Sequence, residues 1–303
     1  MVIIMQENQA FDHCFGFFPG IALPYAENKT VCESRQLTNS AKGCVTPWNG
    51  DNQSNTIQMS DPLLHDWAQA WGDYNNGLMN GFVSTQQNEL NPAAAMSYYT
   101  NATLPDYWDL ASYFGLNVNF YHNALSYTYP NHLYLVSGQT YPPCTIGICT
   151  VTNLNFATIV NQLKSKGISW EYYADNYPTS SQCKKIPNNA GYLNVLPDFP
   201  AVQLNAATCH KITNLAQLWK DLAKGNLPNV SSITPNATVS DHPQQGDLVH
   251  GQMYVPKIID SIEGNASLWG STAIFLTWDD WGGYFDHMKP PLVDKYGYDL
   301  EFL

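Results

Sequence analysis

Residues 271–287 read Ser-Thr-Ala-Ile-Phe-Leu-Thr-Trp-Asp-Asp-Trp-Gly-Gly-Tyr-Phe-Asp-His. The first part, Ser271–Trp278, is a short run rich in apolar and β-branched residues, too short for a helix of ordinary length, and reads as a buried strand. It stops abruptly at Asp279-Asp280. The chain opens in the same way: Val2–Met5 is a short apolar strand followed at once by Gln6-Glu7-Asn8. Between these two strands, helical periods alternate with short apolar runs. In Phe156–Lys166 the side chains of Phe156, Ile159, Val160 and Leu163 fall on one face, Gly167 stops the helix, and Ile168–Tyr173 follows as a strand. Leu215–Lys224, stopped by Gly225, is followed by the strand Val230–Ile233 in the same order. Asp61–Tyr74 (with Asp61 as N-cap and Pro62 in the first turn), Leu104–Phe114, Pro130–Ser137 and Gln252–Ile262 also read as helices, and Leu116–Tyr121 as a strand. This alternation predicts an α/β fold with a mostly parallel central sheet flanked by helices. One domain over residues 1–303, with a long polar excursion at about 20–60, accommodates all of it.

Composition narrows the function classes. Of 303 residues only 13 are Lys or Arg against 25 Asp or Glu, a formal charge of −12, so a basic nucleic-acid surface is excluded. With 44% hydrophobic residues the chain can build a core, and no apolar run is long enough to span a membrane. The seven cysteines include no CxxC pair. Six of them form local pairs, Cys32/Cys44, Cys144/Cys149 and Cys183/Cys209, which read as disulfides of an oxidising compartment, with the first pinning the excursion; Cys14 is left as a buried free thiol. Together with the scarce Lys and Arg, this points to a secreted or periplasmic protein whose leader is not in the chain.

In parallel α/β sheets ligands sit beyond the carboxyl ends of strands. Here two strands end in acids, Glu7-Asn8 and Asp279-Asp280. Adjacent carboxylates with an amide oxygen suit a hard divalent cation such as Mg, Ca, Mn or Fe, although each pair alone also fits a turn. A second cluster is Ser126-Tyr127-Thr128-Tyr129-Pro130-Asn131-His132. A hydroxyl just before a Pro-started helix suits an anion and a nucleophile, and equally suits an ordinary N-cap.

Several segments, taken in order, resemble the phosphoesterase family of bacterial phospholipases C and acid phosphatases, within the alkaline-phosphatase-like superfamily. They are Val2–Gly16 with its Glu-Asn-x-x-Phe-Asp core, His65-Asp66-Trp67 with Asn80-Gly81-Phe82-Val83, Met96-Ser97-Tyr98-Tyr99, Thr128-Tyr129-Pro130-Asn131-His132-Leu133, Asp241-His242-Pro243, and Thr277–His287. The resemblance implies a phosphoric ester hydrolase that acts through a phosphothreonine. One divalent metal ion would be held by Glu7, Asn8, Asp279 and Asp280. Thr128 would be the nucleophile, with Ser126 as its rival. His65 and His242 would contact the phosphate or its leaving group, and Asn131 and His132 would bind substrate. The substrate would be a phospholipid head group or a small phosphomonoester. Family members continue past residue 298 with a further strand, so the chain is expected to lack that part. The competing reading is a non-catalytic extracellular carbohydrate-binding or surface protein, suggested by the 19 Tyr and 9 Trp, and it leaves the paired acids and Thr128 unexplained.

Overall fold

The computed structural model describes residues 1–21, 33–36, 42–51, 63–140, 154–174, 194–243 and 246–291. Five strands form the central sheet: β1 (Val2–Gln6), β6 (Trp170–Ala174), β7 (Ile212–Thr213), β8 (Val230–Thr234) and β9 (Ile274–Trp278), in the order β7-β6-β8-β1-β9. Every pairing is parallel, as the alternation of helices and apolar runs requires. Outside the sheet, β2 (Glu33–Gln36) and β3 (Lys42–Val45) form an antiparallel pair, and β4 (Trp48–Asn49) pairs with β5 (Ser97–Tyr98).

The sheet is covered on both faces, so its strands carry apolar residues in both directions. On one face Ile4, Tyr173 and Ile233 pack with Leu218 of the helix Leu215–Lys224 and with Val255, Ile258 and Ile262 of the helix Leu248–Glu263. On the other, Trp170 and Tyr172 pack with Leu133 and Val136 of the helix Thr128–Ser137 and with Val160 and Leu163 of the helix Ile159–Ser165. Each such aliphatic side chain, fully withdrawn from water, contributes about 1.5–3 kcal/mol. A third cluster, including Leu63, Phe82, Met96, Trp281 and Phe285, packs the segments that follow β9 against the helices Trp67–Tyr74 and Phe82–Thr85.

Local chemistry sets the helix ends, and in several places it corrects the sequence reading. The helix expected over Asp61–Tyr74 begins at Trp67, because the Asp66 carboxylate accepts from the N–H groups of Ala68 and Gln69; Asp61 lies outside the described residues. Thr158 and Asn161 form a reciprocal capping box, which moves the start of the helix expected over Phe156–Lys166 to Ile159. The helix containing Pro130 begins two residues earlier, at Thr128, so Thr128 sits inside the first turn. Gly138, Gly167 and Gly225 follow helices in the left-handed conformation, as their positions as stop signals imply. Residues 116–121 are not a strand: they pair with nothing in the sheet, and Val118 and Phe120 are exposed. Cys14 is a buried free thiol, as expected. Each of the three expected cysteine pairs includes a residue outside the described ones. Among the described residues no helix is long and apolar enough to cross a membrane.

The third cluster also buries acids. Asp73 accepts from Thr85 Oγ1 at 2.6 Å and from Trp281 Nε1 at 2.8 Å, and burial pushes its carboxyl up to about 8. Burial likewise pushes Glu33, which accepts from the Val83 N–H at 2.7 Å, up to about 7. Asp286 is pushed up to about 7 by burial and by the neighbouring Asp12. From pH 7 to about 8.5 these groups keep protons in the folded chain that they release when it unfolds, so stability falls as pH rises through their folded values. His13, His65 and His122, all lowered by burial, do not offset this, because above pH 7 they are mostly neutral in both states. At about 1.4 kcal/mol per tenfold change in proton affinity, the loss is about 2 kcal/mol. Thermal unfolding in chelator should show a midpoint a few degrees lower at pH 8.5 than at pH 7. A flat or rising midpoint would contradict the buried-acid account.

Candidate functional site

The parallel register of β1 and β9 places Gln6 opposite Trp278, so Glu7-Asn8 and Asp279-Asp280 leave the sheet side by side. Backbone bonds continue the pairing beyond the strands, from Asp279 N–H to Gln6 O at 3.1 Å and from Gln9 N–H to Asp280 O at 2.9 Å. Asn8 takes a left-handed conformation (φ 60°), which Asn tolerates better than most residues, and its N–H donates to Asp279 Oδ1 at 2.9 Å. The two glycines after the acids now have a reason. Gly282 N–H donates to Asp280 Oδ1 at 2.8 Å, its φ is +64°, and a Cβ there would lie 2.2 Å from the Asn8 carbonyl oxygen. A side chain at Gly282 would therefore collide with the Asn8 backbone.

Thr128 enters from the other side. Its Oγ1 donates toward Glu7 Oε2 at 3.4 Å and Asp280 Oδ2 at 3.5 Å. It is the first residue of a ten-residue helix that no side chain caps. The N-cap alternative for this hydroxyl is thereby set aside, and the helix's positive end lies beside it. Asn131 spends its amide on the approach loop: Oδ1 accepts from Ala124 N–H at 2.7 Å, and Nδ2 donates to the carbonyls of Ala124, Ser126 and Tyr127. These bonds let Asn131 shape the loop that leads into Thr128. His132 is wholly buried with Nε2 3.3 Å from Glu7 Oε1, so it too meets the acid cluster from within. Ser126 is buried, with no contact to the acids among its hydrogen bonds.

Glu7, Asn8, Asp279 and Asp280 are each at most 1% exposed. Burial, then repulsion from Asp279 and Asp280, pushes Glu7 well above the usual carboxylate range; burial and Asp279 do the same to Asp280. Two buried oxygens, Asn8 Oδ1 and Asp279 Oδ2, have no hydrogen-bond partner. Ligand atoms of Glu7, His132 and Asp279 lie within 4.8 Å of one another. Crowded carboxylates, unpartnered oxygens and no Lys or Arg partner among the described ion pairs fit a divalent cation, so the group can hold a metal.

Three half-buried imidazoles surround this floor. His65 Nε2 lies 2.9 Å from Asn8 Nδ2, and the His65 and His242 rings are 6.2 Å apart. His242 Nδ1 lies 2.6 Å from the Pro243 carbonyl. Asp241, left-handed at φ 69° and wholly buried, anchors that loop by accepting from Tyr107 Oη at 2.7 Å and Trp278 Nε1 at 2.8 Å. The third imidazole, His122, is one that sequence reasoning passed over. It stacks on Trp281 at 5.7 Å, hydrogen-bonds the Ala124 carbonyl through Nδ1 and lies in the field of Asp279. Its signal was position alone, six residues before Thr128 in the same segment.

Residues 1–299 match the Phosphoesterase family. Among curated proteins, the chain is 26% identical over 317 residues to a non-hemolytic phospholipase C of Pseudomonas aeruginosa, covering 99% of this chain and 44% of that one. It is 24% identical to phospholipase C A of Mycobacterium tuberculosis, covering 96% and 59% respectively. It is 25% identical to non-specific phospholipase C1 of Arabidopsis thaliana, covering 96% and 54%. The chain thus spans about half the length of these relatives. With the match running through every described element, including Glu7-Asn8 and Asp279-Asp280, the chain belongs to the phosphoesterase family.

Proposed function

We propose that this chain carries the catalytic site of a metal-dependent phosphoric ester hydrolase that works through a phosphothreonine at Thr128. The observation that supports it best is the approach of Thr128 Oγ1 to within 3.4 and 3.5 Å of two buried acids at the start of an uncapped helix. Glu7, Asn8, Asp279 and Asp280 would hold the divalent ion. When bound, it supplies positive charge that acidifies a nearby hydroxyl and offsets phosphoryl charge. Thr128 Oγ1, its proton leaving toward Glu7 or Asp280, attacks phosphorus. The bond to the leaving oxygen breaks on the opposite side, and that oxygen takes a proton from His242. With its Nδ1 held by the Pro243 carbonyl, His242 has Nε2 left to pass a proton to the leaving oxygen. Water then hydrolyses the phosphothreonine. Amide N–H groups of the helix start would face the phosphoryl oxygens.

Phospholipase C and acid phosphatase activities both fit this site, and so does export with the three cysteine pairs closed. The reading as a non-catalytic surface protein leaves the buried carboxylates without purpose. The test is a substrate panel of p-nitrophenyl phosphate against p-nitrophenylphosphorylcholine between pH 4 and 8, with and without chelator, and acid quenching to map bound phosphate. Turnover of either ester that disappears on chelation and returns with metal, with phosphate trapped on Thr128, is the expected result. Chelator-resistant turnover, or no turnover of any ester, would overturn the reading.

A further inference from the structure

His65 has so far been assigned only by resemblance, as a group touching phosphate or leaving group. Its hydrogen bonds point elsewhere. His65 Nδ1 lies 2.7 Å from the Leu63 carbonyl oxygen, which can only accept, so Nδ1 carries the hydrogen. In the neutral ring Nε2 then holds a lone pair, and it lies 2.9 Å from Asn8 Nδ2. The Asn8 amide therefore donates to His65, which fixes which way round the amide sits. Its Oδ1 is the buried atom left with no partner. The Asn8 backbone is held as well, by the bond to Asp279 Oδ1 and by the close approach of Gly282. With the backbone set, the orientation of the amide is the remaining freedom, and His65 removes it.

The segment carrying His65 is itself braced. Gln86, fully buried, accepts from Leu64 N–H at 2.7 Å and donates to Leu64 O at 2.6 Å. Gly283 lets that segment come close, since a Cβ there would lie 2.6 Å from Leu63 Cβ and 2.9 Å from Leu64 O. Gln86 thus holds Leu64, the Leu63 carbonyl sets the His65 tautomer, and His65 orients Asn8.

We propose that His65 is a positioning residue that presents Asn8 Oδ1, rather than its NH2 group, to the divalent cation. This rests on the metal site proposed above. Outer partners of metal ligands commonly change affinity about 10- to 100-fold. A flipped Asn8 would turn two N–H bonds toward the cation and lose a ligand oxygen.

The experiment is Mn²⁺ titration of the metal-stripped full chain, followed by the signal of free Mn²⁺, for wild type, His65→Phe and His65→Gln, each checked for cooperative unfolding. Phe fills the space but cannot accept from Asn8. Gln offers an amide oxygen close to where Nε2 stood, yet cannot relay a proton. Expected is one Mn²⁺ per wild-type chain, about 10- to 100-fold weaker binding in His65→Phe, and affinity and kcat within about threefold of wild type in His65→Gln. Equal Mn²⁺ affinity in His65→Phe would overturn the proposal. So would a His65→Gln variant that binds Mn²⁺ normally but loses kcat together with one limb of its pH profile, since that outcome makes His65 a proton donor. Should His65→Phe fail to fold, His65→Gln alone decides. If wild type binds no Mn²⁺, the metal site falls, and the role of His65 with it.

Discussion

Thr128→Ala is expected to lower phosphoester turnover by about 10⁴-fold or more while leaving fold and metal affinity nearly unchanged. The two halves of this expectation have separate causes. Thr128 Oγ1 reaches its acid partners at 3.4 and 3.5 Å, long bonds that contribute little to stability, about 1 kcal/mol at most. Its neighbours in the helix are held by Leu133 and Val136 in the core and by Asn131 on the loop, none of which involves the hydroxyl. Chemistry, by contrast, has no substitute at this position, since Ser126 makes no contact with the acids among its hydrogen bonds. Thr128→Ser keeps the hydroxyl and should keep much of the activity. Ser126→Ala should be close to wild type. The measurement is steady-state turnover of p-nitrophenyl esters beside thermal unfolding and Mn²⁺ titration. A Thr128→Ala variant with a tenth or more of wild-type turnover, or trapped phosphate mapping to Ser126, would remove Thr128 from its role.

The parts of this site that could be read from sequence are those written in single strands. Val2–Met5 and Ser271–Trp278 are apolar runs bounded by acids, and parallel pairing converts their shared pattern into adjacency. The helix stops at Gly138, Gly167 and Gly225 were legible because a left-handed position favours glycine strongly. What stayed hidden depends on partners distant in sequence. Leu116–Tyr121 has strand-like composition but no neighbour in the sheet, and β-propensity reflects packing rather than backbone preference. β7, only Ile212–Thr213, is too short to leave a pattern. The start at Thr128 was displaced because Pro130 fits the first turn at more than one position. The imidazoles show the same limit. His65 and His242 were marked by motif, yet only the structure gives His65 its bond to Asn8 and brings His122 onto Trp281.

The acid cluster carries the last and least intuitive expectation: Asp280→Asn should stabilise the metal-free protein and abolish its response to metal. Glu7, Asp279 and Asp280 are almost wholly buried, and burial and mutual repulsion push Glu7 and Asp280 upward. Near neutral pH the metal-free chain must either hold these charges together or hold protons against the pH, and both are unfavourable. Asn at 280 removes one charge, keeps an oxygen for the Gly282 N–H that now donates at 2.8 Å, and occupies nearly the same volume. The gain should be roughly 0.5–2 kcal/mol, in the range of other single stabilising changes. Its pH dependence carries a definite sign. The wild-type carboxyl has a raised folded value, so its penalty grows as pH rises above the unfolded value near 4 and disappears below it. Wild type and variant should therefore unfold together at about pH 4 and diverge toward pH 8, with the variant higher. Metal reverses the order. At a hundred times its dissociation constant a bound ion adds about 2.7 kcal/mol to the wild type, and little to a variant lacking one ligand charge. Melting curves in chelator and in excess Mn²⁺ should thus cross between the two proteins. If the variant is less stable than wild type in chelator at pH 8, the carboxylates are not in conflict and the cluster is not a cation site awaiting its charge.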